Sequence, residues 1–453
     1  MTEHPATYAQ VFAVREYRYL FGAYLLSLLG DQLTAITVAY LVYTGTGSAS
    51  LAAAAFASSY LAWLTGGPLL SGLADRLPRR RLMIGCDLAR ALLIPLAALP
   101  GLSAPTLVGL LFVVNLLRPP FVAARAALMP EVLDGDRYPV ANGVDNISAQ
   151  VVQVVGFAAG GSLVAVFSLR GALLVDAATF LVSALLIIVG VRPRPVPARP
   201  DGHGHTSGLG PAIGLRVIFT DHRLRAYVLV LWLASAFVYA AEGLMAPLAV
   251  QYGGGPGTVG LLLAAAPLGM GVGGVVFTRF CPPDVRPRLI LPLAALSGAV
   301  LVVVWTFPPL WAVLGLLVLA GAGSAFAIPL NALFGRAVPA EYRGRAFGVA
   351  ITGLAGLQGM AMLLAGLAAD HWAATTVIGV SGLLGAVAVL AVVPLWPRRR
   401  SSRSGPTAHP SGHRDTTSQS DSSAAFDAPL EQPRTTSTAA EPSAGGSVRS
   451  TLG

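Results

Sequence analysis

Several ionisable residues stand inside long apolar runs, where holding a charge is costly and such a group is a functional candidate by default. Asp31 lies near the middle of the first run and Glu242 near the middle of the seventh. A carboxyl group at that depth can load and release a proton, pair with a cationic solute, or hydrogen-bond a neighbouring helix. Both are expected to face a central cavity. Asp87 and Arg90, spaced i, i+3 in the third run, can meet on one helix face and read as a structural ion pair. Arg118 precedes Pro119 and Pro120 in the fourth run, with its role open between cavity and scaffold. Asp176, toward the outer end of the sixth, reads as an anchor for a helix end.

The elements that must position these groups follow from composition. Hydrophobic residues make up 55% of the 453-residue chain and charged residues only 11%. A water-soluble domain needs about 25% charged residues to cover its surface, so lipid is the expected solvent. A helix needs about 20 apolar residues to cross a bilayer, and about twelve such stretches can be marked. In the first half they fall near 19–43, 49–71, 82–100, 105–128, 140–167 and 171–191. In the second they fall near 226–251, 257–279, 289–308, 309–335, 343–369 and 373–396. The expected fold is all-α and polytopic, with these spans in two pseudo-symmetric bundles at 19–191 and 226–396. Residues 1–18 form a cytoplasmic N-terminus without a signal-peptide pattern, and 192–225 a proline- and glycine-bearing cytoplasmic linker. The tail, 397–453, is rich in Ser, Thr, Pro and Ala and is expected to be disordered.

The net charge of +9 has a topological reading, because the arginines cluster in alternate loops with no aromatic-rich basic domain for nucleic acid. Arg15 and Arg18, Arg76 to Arg81, Arg137, Arg192 to Arg225, Arg286 and Arg288, Arg343 and Arg345, and Arg398 to Arg403 all fall on one side. That side is expected to be the cytoplasm, and both termini with it. Only Arg170, Asp370 and His371 charge the opposite loops. The halves also repeat: Pro120 and Pro130 bracket a segment that matches the one between Pro329 and Pro339.

The loop Ser71-Gly72-Leu73-Ala74-Asp75-Arg76-Leu77-Pro78-Arg79-Arg80-Arg81 closely resembles the signature loop of the major facilitator superfamily, although that family has glycine where Ser71 and Pro78 stand. Pro339-Ala340-Glu341-Tyr342-Arg343-Gly344-Arg345 resembles a second signature. The resemblance implies a conformational latch of Asp75, Arg76, Arg79 and Arg80 with Arg343 and Arg345; the alternative for the loop is a solvated basic turn. Ser27 to Asp31, Asp87 to Arg90, Ala124 to Pro130, Ala141-Asn142 and Asp176 to Phe180 resemble the macrolide-efflux and siderophore-exporter branch of drug and proton antiporters. The fifth run departs from it, with Gly156-Phe157-Ala158-Ala159-Gly160-Gly161 where exporters commonly have Gly-Pro.

The resemblance implies a monomeric secondary transporter of a bacterial cytoplasmic membrane that exports a drug, siderophore or secondary metabolite in exchange for protons. An importer or facilitator of the same fold is the alternative, and a non-transport membrane protein the more distant one. An enzyme is not expected, since no zincin pair, serine-histidine set or nucleotide loop is present. No cofactor is expected. Gly271-Val272-Gly273-Gly274 reads as a helix contact rather than a phosphate loop. His203 and His205 lack partner ligands for a metal. Cys86 and Cys281 suggest no disulfide framework.

Overall fold

The computed structural model describes residues 7–70, 73–194 and 210–396, with the backbone alone at 68, 69, 75, 210 and 211. Every regular element among them is helical. Lipid offers no partner to backbone N–H and C=O groups, so a chain this apolar satisfies them within helices. Through the first half run α1 (Tyr8–Ala13), α2 (Arg15–Thr46), α3 (Ala49–Leu70), α4 (Leu73–Arg76) and α5 (Arg79–Leu93), then α6 (Ala104–Leu116), α7 (Arg118–Val132) and α8 (Arg137–Gly190). After α9 (Gly210–Thr220), the second half has α10 (His222–Glu242), α11 (Met245–Gln251), α12 (Pro256–Phe280) and α13 (Ile290–Val302). It closes with α14 (Leu310–Gly323), α15 (Ala327–Ala337), α16 (Arg343–Ala369) and α17 (Ala374–Val392). Eight helices among the described residues are long and apolar enough to cross a bilayer, counting α8 and each continuous pair once.

The helix breaks follow local chemistry. Gly47, at φ 67°, ends α2 in the left-handed conformation that glycine adopts at little cost, and its N–H returns to the Tyr43 carbonyl at 2.8 Å. Within α8 the two expected runs, 140–167 and 171–191, are separated at Ser168, whose φ of 65° is non-helical. The expected run 226–251 is interrupted at Gly243 and Leu244, directly after Glu242. The sequence repeat has a structural counterpart. Proline is tolerated in the first turn of a helix but not in its middle. Accordingly α6 gives way to α7 just before Pro119 and Pro120, and a tight turn at Ser324–Phe326 leads into α15 and Pro329.

The described helices pack into one compact unit. In the first half α8 lies along α2 and α5, and α3 along α6; in the second, α12 lies along α14, and α10 along α16 and α17. The halves meet where α3 packs on α16 and α8 on α12. The α8–α12 contact is made by Gly161 and Gly260, where a Cβ on either residue would overlap the other helix's backbone. Small residues let helices approach this closely in a solvent that offers no hydrophobic drive between them.

Candidate functional site

Helix α2 supplies one face of a buried polar network. Ser27, Asp31 and Thr34, at i, i+4 and i+7, share that face. Asp31 Oδ2 lies 3.1 Å from Arg118 Nε and its Oδ1 lies 3.5 Å from Arg90 Nη1, so α5 and α7 both hand it a cation. Arg90 Nη1 also donates to Ser27 Oγ at 3.1 Å. The remainder of the Arg90 guanidinium is flanked by the rings of Phe180 and Phe121, 5.2 and 5.9 Å from its Cζ, which gives a buried cation favourable quadrupole contacts.

This corrects the expected Asp87–Arg90 pair. The two do share a helix face, but side chains on that face reach Ser27 and Asp31 of α2, and Asp31 takes the guanidinium. Asp87, fully buried, instead faces Ser27 Oγ at 3.5 Å and Ser183 Oγ at 2.5 Å. Ser183 Oγ also lies 2.9 Å from the Ala23 carbonyl, which leaves one hydroxyl proton for two acceptors. A protonated Asp87 would complete that set. Asp176 is also corrected: it is fully buried in mid-helix, where Oδ2 accepts from Thr34 Oγ1 and Oδ1 has no partner among the described residues. Asp176 does lie toward the end of the sixth run that begins after Ser168, but it is about two turns beyond that break and bonds Thr34 of α2 rather than a helix terminus.

Asp31 and Arg118 open onto a polar chamber of about 260 Å³ that Glu242 also lines. Tyr60, Trp63, Asn115, Gln150 and Gln153 complete its polar wall. Beside it, in the second half, lies a chamber of about 400 Å³ walled by Leu231, Leu262, Met270, Phe326 and Phe347. Glu242 and Gln153 line both. Glu242 is the last residue of α10, with Tyr60 and Tyr239 against it and their rings 5.6 Å apart. A carboxyl at a helix C-terminus meets the negative end of the dipole, and these hydroxyls are the donors at hand. Gln153, Tyr60, Tyr239, Asn331 and Gln358 escaped the sequence reading, which weighed charged groups alone; lone amides in apolar runs, and Gln150 with Gln153 at i, i+3, were the available signal.

A second ion pair was also missed. Arg125 Nη2 lies 2.6 Å from Asp145 Oδ2, Tyr17 Oη donates to Asp145 Oδ1 at 3.2 Å, and the guanidinium sits 4.0 Å over the Tyr24 ring. Asp145 was a lone acid in an apolar run and could have been read as Asp31 was.

At the arginine-rich end, Arg79 pairs with Glu131 and donates to the Ala127 carbonyl at 3.1 Å, while Arg80 donates to the Ile188 carbonyl at 2.7 Å. Arg76, Arg343 and Arg345 are exposed and make no ion pair among the described residues. The Asp75 side chain, Ser71 and Gly72 lie outside the described residues, as do His203, His205 and the 397–453 tail. At the opposite end, Asp370 after α16 accepts from the Ser50 N–H at 3.1 Å and Ser48 Oγ at 3.4 Å, capping α3 across the two halves. Burial pushes the Asp370 carboxyl up, but the hydrogen bonds from Ser50, Ala49 and Ser48 outweigh it and hold the group below its ordinary value. Among the described residues no cluster suits a metal ion, and Cys86 and Cys281 are free thiols.

Solved structures share this fold. The nucleoside transporter NupG superposes with a TM-score of 0.65 at 13% identity, covering 84% of this chain and 100% of that one. A POT family transporter, PepTSo, gives 0.64 at 12% identity over 84% and 97%. A bacterial homologue of the human lysosomal transporter Spinster, inward-facing and unoccupied, gives 0.60 at 16% over 84% and 96%. No curated protein sequence gives a significant match. The model of one family matches residues 20–303 and 231–438, and the chain, a multi-pass membrane protein with a transporter fold, belongs to the Major Facilitator Superfamily.

Proposed function

We propose that this chain is a secondary active transporter with twelve spans in two six-helix bundles, exporting an amphiphilic small molecule in exchange for protons. The observation that carries this reading is the pair of adjoining chambers, one charged and one apolar, that share Glu242 and Gln153. An amphiphile can place its polar end against the first chamber and its apolar body in the second. Asp31 and Glu242 are the proposed proton-coupling acids, with Arg118 as the cation that Asp31 releases or recaptures when its charge changes. Asp75, Arg76, Arg79, Arg80, Arg343 and Arg345 form the proposed latch at the cytoplasmic end, a role supported by the signature resemblance and by the docking of Arg79 and Arg80 on α7 and α8. The Asp370 cap on α3 would have to break when the halves rock apart at the outer face. The proposed setting is a bacterial cytoplasmic membrane with both termini inside; reporters fused after Gly101 and after Arg194 should then fall on opposite faces.

Substrate-dependent proton flux in proteoliposomes, measured with binding, tests the mechanism. Glu242→Gln should abolish gradient-driven accumulation while binding of neutral amphiphiles survives, because an amide cannot titrate. If Glu242→Gln and Asp31→Asn both leave proton-coupled flux and affinity intact, the coupling site is wrong. Solute flux that moves no protons in the parent protein would make it a facilitator.

A further inference from the structure

Away from both chambers, a third cavity of about 580 Å³ lies at the arginine-rich end, between the start of α2, the start of α5 and the end of α8. Its charged lining is Arg15, Glu16, Arg80, Glu131, Arg192 and Arg194, four cations against two anions. The anions are already matched. Glu16 takes both Nη atoms of Arg194, at 2.5 and 3.0 Å, and the Arg192 N–H at 3.1 Å. Glu131 takes Arg79, with Arg194 Nε at 3.6 Å. The hydrogen bonds it donates to Glu16 hold the Arg194 guanidinium above its ordinary pKa, so that partner is fixed as a cation. Arg15, Arg80 and Arg192 are left without a carboxylate among the described residues, and the buried Nε of Arg80 has no acceptor there.

The cavity is continuous with an apolar surface. Leu181, Leu185 and Val189, at i, i+4 and i+8 on α8, are 50%, 56% and 60% exposed, and Val189 lines the cavity itself. A row of bare apolar side chains on a membrane helix faces acyl chains, and here it ends at unmatched guanidinium groups. Guanidinium is the side chain best suited to phosphate oxygens, through paired charge-assisted hydrogen bonds.

We propose that this cavity binds the phosphodiester head of an anionic glycerophospholipid, with an acyl chain lying along Leu181, Leu185 and Val189. The chemistry recognised is a phosphate oxygen pair on a head that carries no cation of its own, since a choline ammonium would be repelled by the same arginines; the adjoining apolar row selects a lipid over a free phosphate ion. Basic pockets between membrane helices on the cytoplasmic side are suited to such heads.

The test uses the full chain in lipid nanodiscs, with lipid retention read by native mass spectrometry and thermal midpoint followed as lipid is added. Phosphatidylglycerol should be retained and raise the midpoint where phosphatidylcholine does not. The double change Arg15→Gln with Arg192→Gln should weaken phosphatidylglycerol retention by about tenfold or more, from roughly one lost favourable contact per arginine. Arg15→Lys with Arg192→Lys keeps the charge and should retain most of it, which separates loss of binding from loss of fold. Arg279→Gln with Arg288→Gln, equal in charge but outside the cavity, should leave retention unchanged. Equal retention of the two lipids, an undiminished Gln double variant, or an equal loss in the Arg279 and Arg288 control would overturn the proposal. Inorganic phosphate that displaces the lipid fully at matched concentration would show a free-ion site and overturn it as well.

Discussion

The two chambers that meet at Glu242 are built on opposite principles, although they come from halves that repeat in sequence. In the first half most buried ionisable groups are held by several partners: Asp31 by two arginines, Asp87 by two serines, Arg125 by Asp145 and a tyrosine ring. In the second half one carboxyl ends a broken helix, and the wall beyond it is aliphatic and aromatic. Compensated charges are geometrically demanding, and losing one partner strands the rest. Apolar walls are forgiving, because dispersion and burial have no fixed direction. One half therefore offers a rigid polar reference and the other an adaptable surface.

The sharpest way to break this comparison is stability. Asp31→Ala leaves Arg90, which is fully buried, and Arg118 without their shared anion, and removing one partner of a buried pair costs about 3–5 kcal/mol. The thermal midpoint in detergent should drop severely, whereas Glu242→Gln, with no arginine bonded to the carboxyl, should lower it only slightly. Equal losses would mean that the second half depends on its charge as the first does.

A smaller effect is expected in the apolar chamber. Phe347→Ala removes part of its wall and should weaken amphiphile binding by about tenfold, the scale of a lost aromatic contact of 1–2 kcal/mol. It should leave the proton dependence of transport unaltered, since the Phe347 ring packs edge-on against Phe334 and carries no titratable group itself. A variant that shifts coupling and spares affinity would contradict the division of labour.

The smallest effect concerns the far end, where Asp370 joins the halves. Its carboxyl is held below the ordinary value near 4, so the contact is fully present above about pH 4 and is lost as pH falls through the lower folded value. Asp370→Ala should raise labelling of a cysteine placed at Gln150 by an impermeant reagent about two- to tenfold, the scale of a lost cap hydrogen bond. In the protein bearing that cysteine and the native Asp370, labelling relative to a free thiol at the same pH should stay flat from pH 8 to about 5. A rise across that neutral range would assign the closure to another group.

Much of the fold was legible because the bilayer constrains it. Apolar length marks helices, arginine marks one face, and the turn at Gly47 is written in a residue with special backbone chemistry, whereas the breaks before Pro119 and at Gly243 fell inside runs read as continuous. The acids at Asp31 and Glu242 were legible for the same reason, since a charge in an apolar run stands out whatever surrounds it.

What the sequence determined by itself is therefore one-dimensional: which segments are apolar enough to cross, which residues interrupt them, and which groups would be expensive there. Partner choice was decided only by tertiary packing. Arg90 sits one helix turn from Asp87 in sequence yet pairs with Asp31, because α8 packs on both α2 and α5 and brings their side chains within reach, and a guanidinium takes the best-placed anion irrespective of chain distance. Asp176, about two turns past the Ser168 break, bonds α2 instead of a helix end because Thr34 stands opposite. Gln153 reaches both chambers because α8 packs against α2 and α12 together, a consequence of glycines at 161 and 260 that sequence spacing cannot convey. The physical reason is common to all three: helix periodicity fixes the face on which a side chain lies, and only the packing of other helices fixes what that face meets.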